Sequence, residues 1–138
     1  MSCLWSQLLF KRIRNILAKY ARNEEQLQTA LIYSPPIPYT QLKECEWMIE
    51  HSHPQYGVGD VVFKLPGFED YLVVETKYMT NKTGKTARSR RGQGRKKVQE
   101  QAEFYGRRWK QLHPEADVSY AWFTNDRGLS RIVWIPPP

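Results

Sequence analysis

The chain has 138 residues, of which 41% are hydrophobic and 13% aromatic. That supports one packed domain, argues against a disordered chain, and includes no apolar run able to cross a bilayer. A formal charge of +7 and a pI near 9.5 favour a polyanionic partner, either nucleic acid or an anionic surface. The two cysteines, Cys3 and Cys45, lack metal-type spacing and argue against a disulfide scaffold, so an intracellular, reducing compartment (cytoplasm or nucleus) is expected.

Residues 1–22 carry no acid, and Leu4, Trp5, Leu8, Leu9, Ile13, Ile16, Leu17 and Tyr20 recur near helical spacing among lysines and arginines. This reads as a basic amphipathic helix. A mitochondrial presequence has the same composition, but here the next segment continues the apolar phase. Asn23 can cap a second helix with acids in its first turn. Leu17, Tyr20, Glu24, Leu27 and Leu31 then line one face, which sets a carboxylate within an apolar stripe. Ser34-Pro35-Pro36-Ile37-Pro38 ends that helix. Alternation over residues 44–50, with Cys45, Trp47 and Ile49 on one side, suits a half-buried strand. Val61-Val62-Phe63-Lys64-Leu65 and Tyr71-Leu72-Val73-Val74 form a hairpin across Pro66-Gly67-Phe68-Glu69-Asp70. A polar basic loop over 80–94 leads to a helix from Arg95 to Leu112, stopped by His113-Pro114. Val118–Phe123 and Ile132–Ile135 are two last strands around an Asn125-Asp126-Arg127-Gly128 turn. Trp109, Trp122 and Trp134 sit in core-like patterns. The order predicts a single α/β domain over 1–138 with a mixed sheet: a basic helix over 1–22, then a core over 23–135.

Candidate chemistry gathers at the hairpin's open end. Asp60 opens one strand, and Glu75 and Lys77 close the other; residues two apart share a face. Two carboxylates and an ammonium converge there. Hard divalent ions take such oxygens, so Asp60 and Glu75 are a candidate pair of Mg²⁺ ligands, with the Thr76 carbonyl a third. Lys77 would orient or deprotonate a water, or neutralise a pentacovalent phosphate. Taken singly, Glu-x-Lys is usually a solvated pair and Gly-Asp a turn; their combination across a short hairpin is much rarer.

The segment from Gly59-Asp60-Val61-Val62 to Val73-Val74-Glu75-Thr76-Lys77 resembles the signature of the PD-(D/E)XK nuclease superfamily, with Gly59 in the place of the motif's proline. The resemblance covers residues 23 to 124 and matches specifically only at the motif positions. It implies a restriction endonuclease-like αβββαβ core, here with an extra N-terminal helix. It further implies Mg²⁺ or Mn²⁺ held by Asp60 and Glu75, a catalytic Lys77, and hydrolysis of phosphodiester bonds, in DNA more often than RNA. A lone domain of this kind is expected to be a homodimeric junction resolvase or other structure-specific endonuclease. Gln101-Ala102-Glu103-Phe104-Tyr105 resembles the Gln-x-x-x-Tyr motif of RecB-like exonucleases, and Lys97, Gln101 and Tyr105 recur at four-residue steps. Many members add an upstream helical glutamate; Glu24 fits best, with Glu25 and Glu46 as alternatives.

Lys82, Lys85, Arg88, Arg90, Arg91, Arg95, Lys96 and Lys97 crowd a stretch without an acid, and would grip phosphates without reading sequence. The plainer reading is a solvated loop. His51 and His53 lack cysteine partners and read as structural. Two other classes compete with the enzyme. One is a binding module that kept the fold without catalysis. The other is a membrane-surface protein using the basic helix, which leaves the Asp/Glu/Lys arrangement unexplained.

Overall fold

The computed structural model describes residues 3–45, 61–79 and 85–137. Helix α1 (Cys3–Tyr20) and helix α2 (Glu24–Tyr33) are separate. Asn23 adopts an extended conformation between them, and its side chain accepts a hydrogen bond from the Gln26 N–H at 2.8 Å. Gln26 reaches back to accept from the Arg22 N–H at 2.8 Å, a variant of the reciprocal capping box. The cap therefore starts a new helix instead of prolonging the old one. The expected continuous stripe does not form: Leu17 and Tyr20 are exposed, whereas Leu27 and Leu31 are fully buried. Arg14 locks the two helices together by donating to the Ser34 carbonyl at 2.9 Å, while the Ser34 hydroxyl donates to Phe10 O at 2.8 Å. Burial lowers the Arg14 guanidinium to about 10, so it stays charged at neutral pH. Elsewhere α1 leaves Trp5, Leu8, Leu9 and Ile16 exposed.

Strand β1 (Gln41–Cys45) is exposed along its length; of the strand expected over 44–50, residues 46–50 lie outside the described residues. Strands β2 (Val61–Lys64) and β3 (Asp70–Lys77) form the hairpin. Its turn is set by Pro66 and by Gly67 at φ +84°, with the Phe68 N–H donating to Leu65 O at 3.1 Å. Proline then glycine at the two central positions is the sequence of a type II turn. Helix α3 (Lys85–Leu112) crosses from β3 to the parallel strand β4 (Asp117–Thr124). Two short strands, β5 (Gly128–Leu129) and β6 (Val133–Trp134), both pair antiparallel with β4. Among the described residues this makes an α/β fold of three helices and a mixed, open six-stranded sheet in the order β1-β2-β3-β4-β5. No helix there is long and apolar enough to cross a membrane.

Strand alternation sorts the core into two layers. Val62, Tyr71, Val73, Val118 and Tyr120 meet Ala102, Tyr105 and Trp109 of α3 on one face. Val61, Phe63, Leu72, Val74, Ala121 and Phe123 meet α1 and α2 on the other. Helix α3 buries Val98, Ala102, Tyr105 and Trp109, a helical stripe. Gly106 lets α3 approach β4, because a Cβ there would lie 2.9 Å from the Tyr120 Cβ.

Three expectations need correction. The basic stretch from Lys85 to Gly94 is helical, not a loop. Its arginines, lysines and glutamine are good helix formers, and each glycine costs only about 1 kcal/mol against alanine. Gly94 also has a packing role, since a Cβ there would stand 3.0 Å from the Met79 sulfur. Trp134 is 56% exposed, because alternation along the edge turns Val133 and Ile135 inward and Trp134 out. Trp122 is only half-buried, whereas Trp109 is core as expected.

Candidate active site

The C-terminal end of β3 holds the candidate chemistry. Tyr71 and Val73 face α3, and alternation carries that face on to Glu75 and Lys77. Glu75 is 7% exposed and Lys77 is exposed, so a carboxylate under cover sits two residues from a solvent-facing ammonium. Thr76 is fully buried and points to the opposite layer, leaving only its carbonyl as a ligand for anything on the α3 face. Glu75 lies in register with Trp122 and Lys77 with Thr124 across the parallel pair, while Val74 pairs with Val61 at the described start of β2. Asp60 lies outside the described residues, as do Glu46, His51, His53 and Lys82. Among the described residues, no three His, Cys, Asp or Glu side chains gather as a metal site.

At the other end of β3 the acids are committed locally. Tyr71 donates to Glu69 at 2.6 Å, which holds that carboxyl below its usual range and pushes the phenol up to about 12. Tyr39 donates to Asp70 at 3.0 Å, and burial raises the Asp70 carboxyl. Neither is a second candidate site.

Helix α3 brings Lys97, Gln101 and Tyr105 to three environments. Four-residue steps overshoot a 3.6-residue turn by about 40° each, so the row drifts around the helix. Lys97 is exposed, Gln101 half-buried, and Tyr105 buried in the core against the sheet. The three do not form one uniform wall. Glu24 is exposed in the first turn of α2, and Glu25 beside it, where both suit the helix dipole. Helix α2 covers the sheet face opposite the one that Glu75 and Lys77 share. The buried polar residue one turn further along is Gln28, which accepts from the Cys45 thiol at 3.6 Å.

Seven of the eight cations of the basic stretch lie in the N-terminal half of α3, ahead of its first acid, Glu100. Lys85 and Arg88 fall in the first turn, where cations oppose the macrodipole, so their placement costs stability. Arg88, Arg90, Lys96 and Lys97 are exposed; Arg91 and Arg95 are half-buried.

Several residues of the site have no counterpart in the sequence reading. Asn125 accepts from the Met79 N–H at 2.6 Å and donates to Met79 O at 2.9 Å, clamping the chain where it leaves β3. Asp126 accepts from Arg95 at 2.6 Å and from the Thr124 hydroxyl at 2.6 Å, tying α3 to the turn after β4. A groove of about 490 Å³ opens there, lined by Arg95, Lys96 and Gln99 from α3 and by Trp122, Thr124 and Arg127 from the β4–β5 side. The Asn125–Gly128 stretch carries only a turn signal, because a hydrogen bond between side chain and backbone 46 positions apart leaves no local pattern.

No family model matches the chain, and neither a curated protein sequence nor a solved structure matches it.

Proposed function

We propose that the chain is a metal-dependent nuclease with a restriction endonuclease-like αβββαβ core, hydrolysing phosphodiester bonds in nucleic acid. The observation that carries this reading is the covered Glu75 and solvent-facing Lys77 on one sheet face, under the cation-rich half of α3. A buried carboxylate just beyond the apolar run Tyr71–Val74 suits a hard cation. Glu75 and the Thr76 carbonyl would hold a Mg²⁺ or Mn²⁺ ion together with Asp60, which directly precedes Val61 in sequence. A bound divalent ion supplies Lewis-acid polarisation of the phosphate and an acidified water. Lys77 can approach the scissile phosphate from solvent, where it orients water or offsets developing charge. The cations of α3 hold the strand by its phosphates. DNA is favoured over RNA, and a homodimer over a monomer, only through the motif resemblance.

The test is cleavage. Labelled duplex, single-stranded and four-way-junction DNA is incubated with Mg²⁺, with Mn²⁺ or with EDTA. Cutting with either metal and none in EDTA is expected; no cutting of any substrate overturns the enzyme reading. Binding without cutting would instead identify an inactive module of the same fold. Symmetric nicks at a junction indicate a resolvase, and stepwise loss of end nucleotides an exonuclease.

The exposed cations give a second prediction. Replacing Arg88, Arg90 and Lys97 together by alanine should reduce the slope of log affinity against log salt by about 1 for each phosphate no longer neutralised. The variant should melt no lower than the parent, since it thins a run of like charges and puts the better helix former alanine at exposed positions. An unchanged salt slope would leave these side chains as a solvated face.

A further inference from the structure

The groove between α3 and the β4–β5 turn adjoins the nuclease site, and its aromatic floor, its amide and Arg127 are not used there. Its floor is Trp122, in register with Glu75 on the neighbouring strand. The indole is backed by Tyr120, with ring centroids 6.5 Å apart and planes 27° from parallel, so it is held from the core side. Asp126, the acid of the adjoining turn, has its carboxylate engaged by Arg95 and Thr124. Lys96 and Arg127 pair with no acid among the described residues. Gln99 adds an amide that can both donate and accept. The volume of about 490 Å³ falls within the roughly 300–1,000 Å³ usual for small-ligand sites.

An indole floor, an amide and two uncommitted cations fit a planar ring carrying an anion. Bases inside a duplex are stacked on one another and cannot reach a half-buried indole. A base that is already unpaired can. We infer that this groove receives one unpaired nucleotide of a nucleic acid strand, its base stacked on Trp122 and its phosphate held by Lys96 and Arg127. Taking that strand as the substrate rests on the nuclease reading, and it makes the preferred substrate one with a single-stranded end, flap or gap beside the cut. Binding in the groove needs no cleavage.

The experiment is fluorescence anisotropy in EDTA with labelled single-stranded DNA, single-stranded RNA of equal length and blunt duplex DNA. Trp122→Ala should weaken single-strand binding roughly 5- to 150-fold, the range of one base–aromatic stack, and leave duplex binding within about two-fold. Trp122→Phe should restore most of the loss, because a smaller π-face remains. Lys96→Ala/Arg127→Ala alters surface charge without touching the core; it should weaken single-strand binding and lower its salt slope by about 0.7, the single-strand value for the one phosphate the two cations share. Unchanged single-strand binding in Trp122→Ala overturns the inference. So does equal loss of duplex binding, or a double variant that binds a single strand like the parent. Better binding of DNA or of RNA by the parent identifies which strand the groove takes. Loss of cleavage with intact Trp122-dependent binding sinks only the nuclease reading, and metal-dependent cleavage with no Trp122 dependence sinks only the groove.

Discussion

Lys77→Ala should cut nucleic acid about 10²- to 10⁴-fold more slowly than the parent in Mg²⁺, the span that a positioned proton-transfer group supplies. Lys77 is exposed at the end of β3, so its loss should move stability by no more than about 0.5 kcal/mol. A matched melting curve therefore separates lost chemistry from lost fold. Lys77→Arg is the informative companion. Arginine keeps the charge but does not give up its proton, so a variant as slow as Lys77→Ala assigns proton transfer to the lysine, and a fast one assigns charge stabilisation. Glu75→Gln removes a charge at nearly constant shape and should lower the rate as far or further, with a weaker response to added Mg²⁺. Parent-like cleavage by Lys77→Ala and by Glu75→Gln would place the chemistry elsewhere.

Gly106→Val should lower the melting temperature by several degrees, while Gly94→Ala should leave it nearly unchanged. Both glycines lie in α3 where a Cβ would collide, but the obstacles differ. At Gly106 the neighbours are the Tyr120 Cβ at 2.9 Å and the Ile135 Cδ1 at 3.1 Å, both buried against the sheet. The Tyr120 Cβ is fixed to its backbone and cannot move without shifting β4 or α3, and overpacking of that kind costs about 1–3 kcal/mol. At this chain length each kcal/mol corresponds to roughly 3–5 °C. At Gly94 the obstacle is the far end of Met79, a flexible thioether that can change rotamer. The better helix propensity of alanine, about 1 kcal/mol, offsets what remains. Equal melting shifts in the two variants would contradict the close crossing of α3 over β4.

What the sequence disclosed follows from where its signals are local. The hairpin was legible because Pro66-Gly67 stands between two apolar runs, and the second helix because Asn23 precedes two acids. The Glu75/Lys77 pair followed from two-residue alternation alone. The start of α3 was hidden because its first ten residues hold no apolar side chain larger than Ala87, so no 3.6-residue rhythm marks them, and the glycines read as breaks. The stripe through Leu17 and Leu27 failed for the opposite reason: the spacing was right, but a cap interrupts the helix that would carry it. The separation of Trp134 from Trp122 depends on which strand each pairs with, and the Asn125 and Asp126 hydrogen bonds join distant segments. Those features belong to tertiary structure and have no signature within a window of sequence.

The helical state of the basic stretch gives it a ruler. At about 1.5 Å per residue, Lys85 to Lys97 spans roughly 18 Å, so its seven cations are spaced about 3 Å apart on average. Duplex DNA carries a charge about every 1.7 Å along its axis, and one strand a charge about every 3.4 Å. The linear charge density of this half-helix thus falls between the two and is of the same order as both. A fully extended chain of the same composition would spread those charges over a little more than twice the length and match neither.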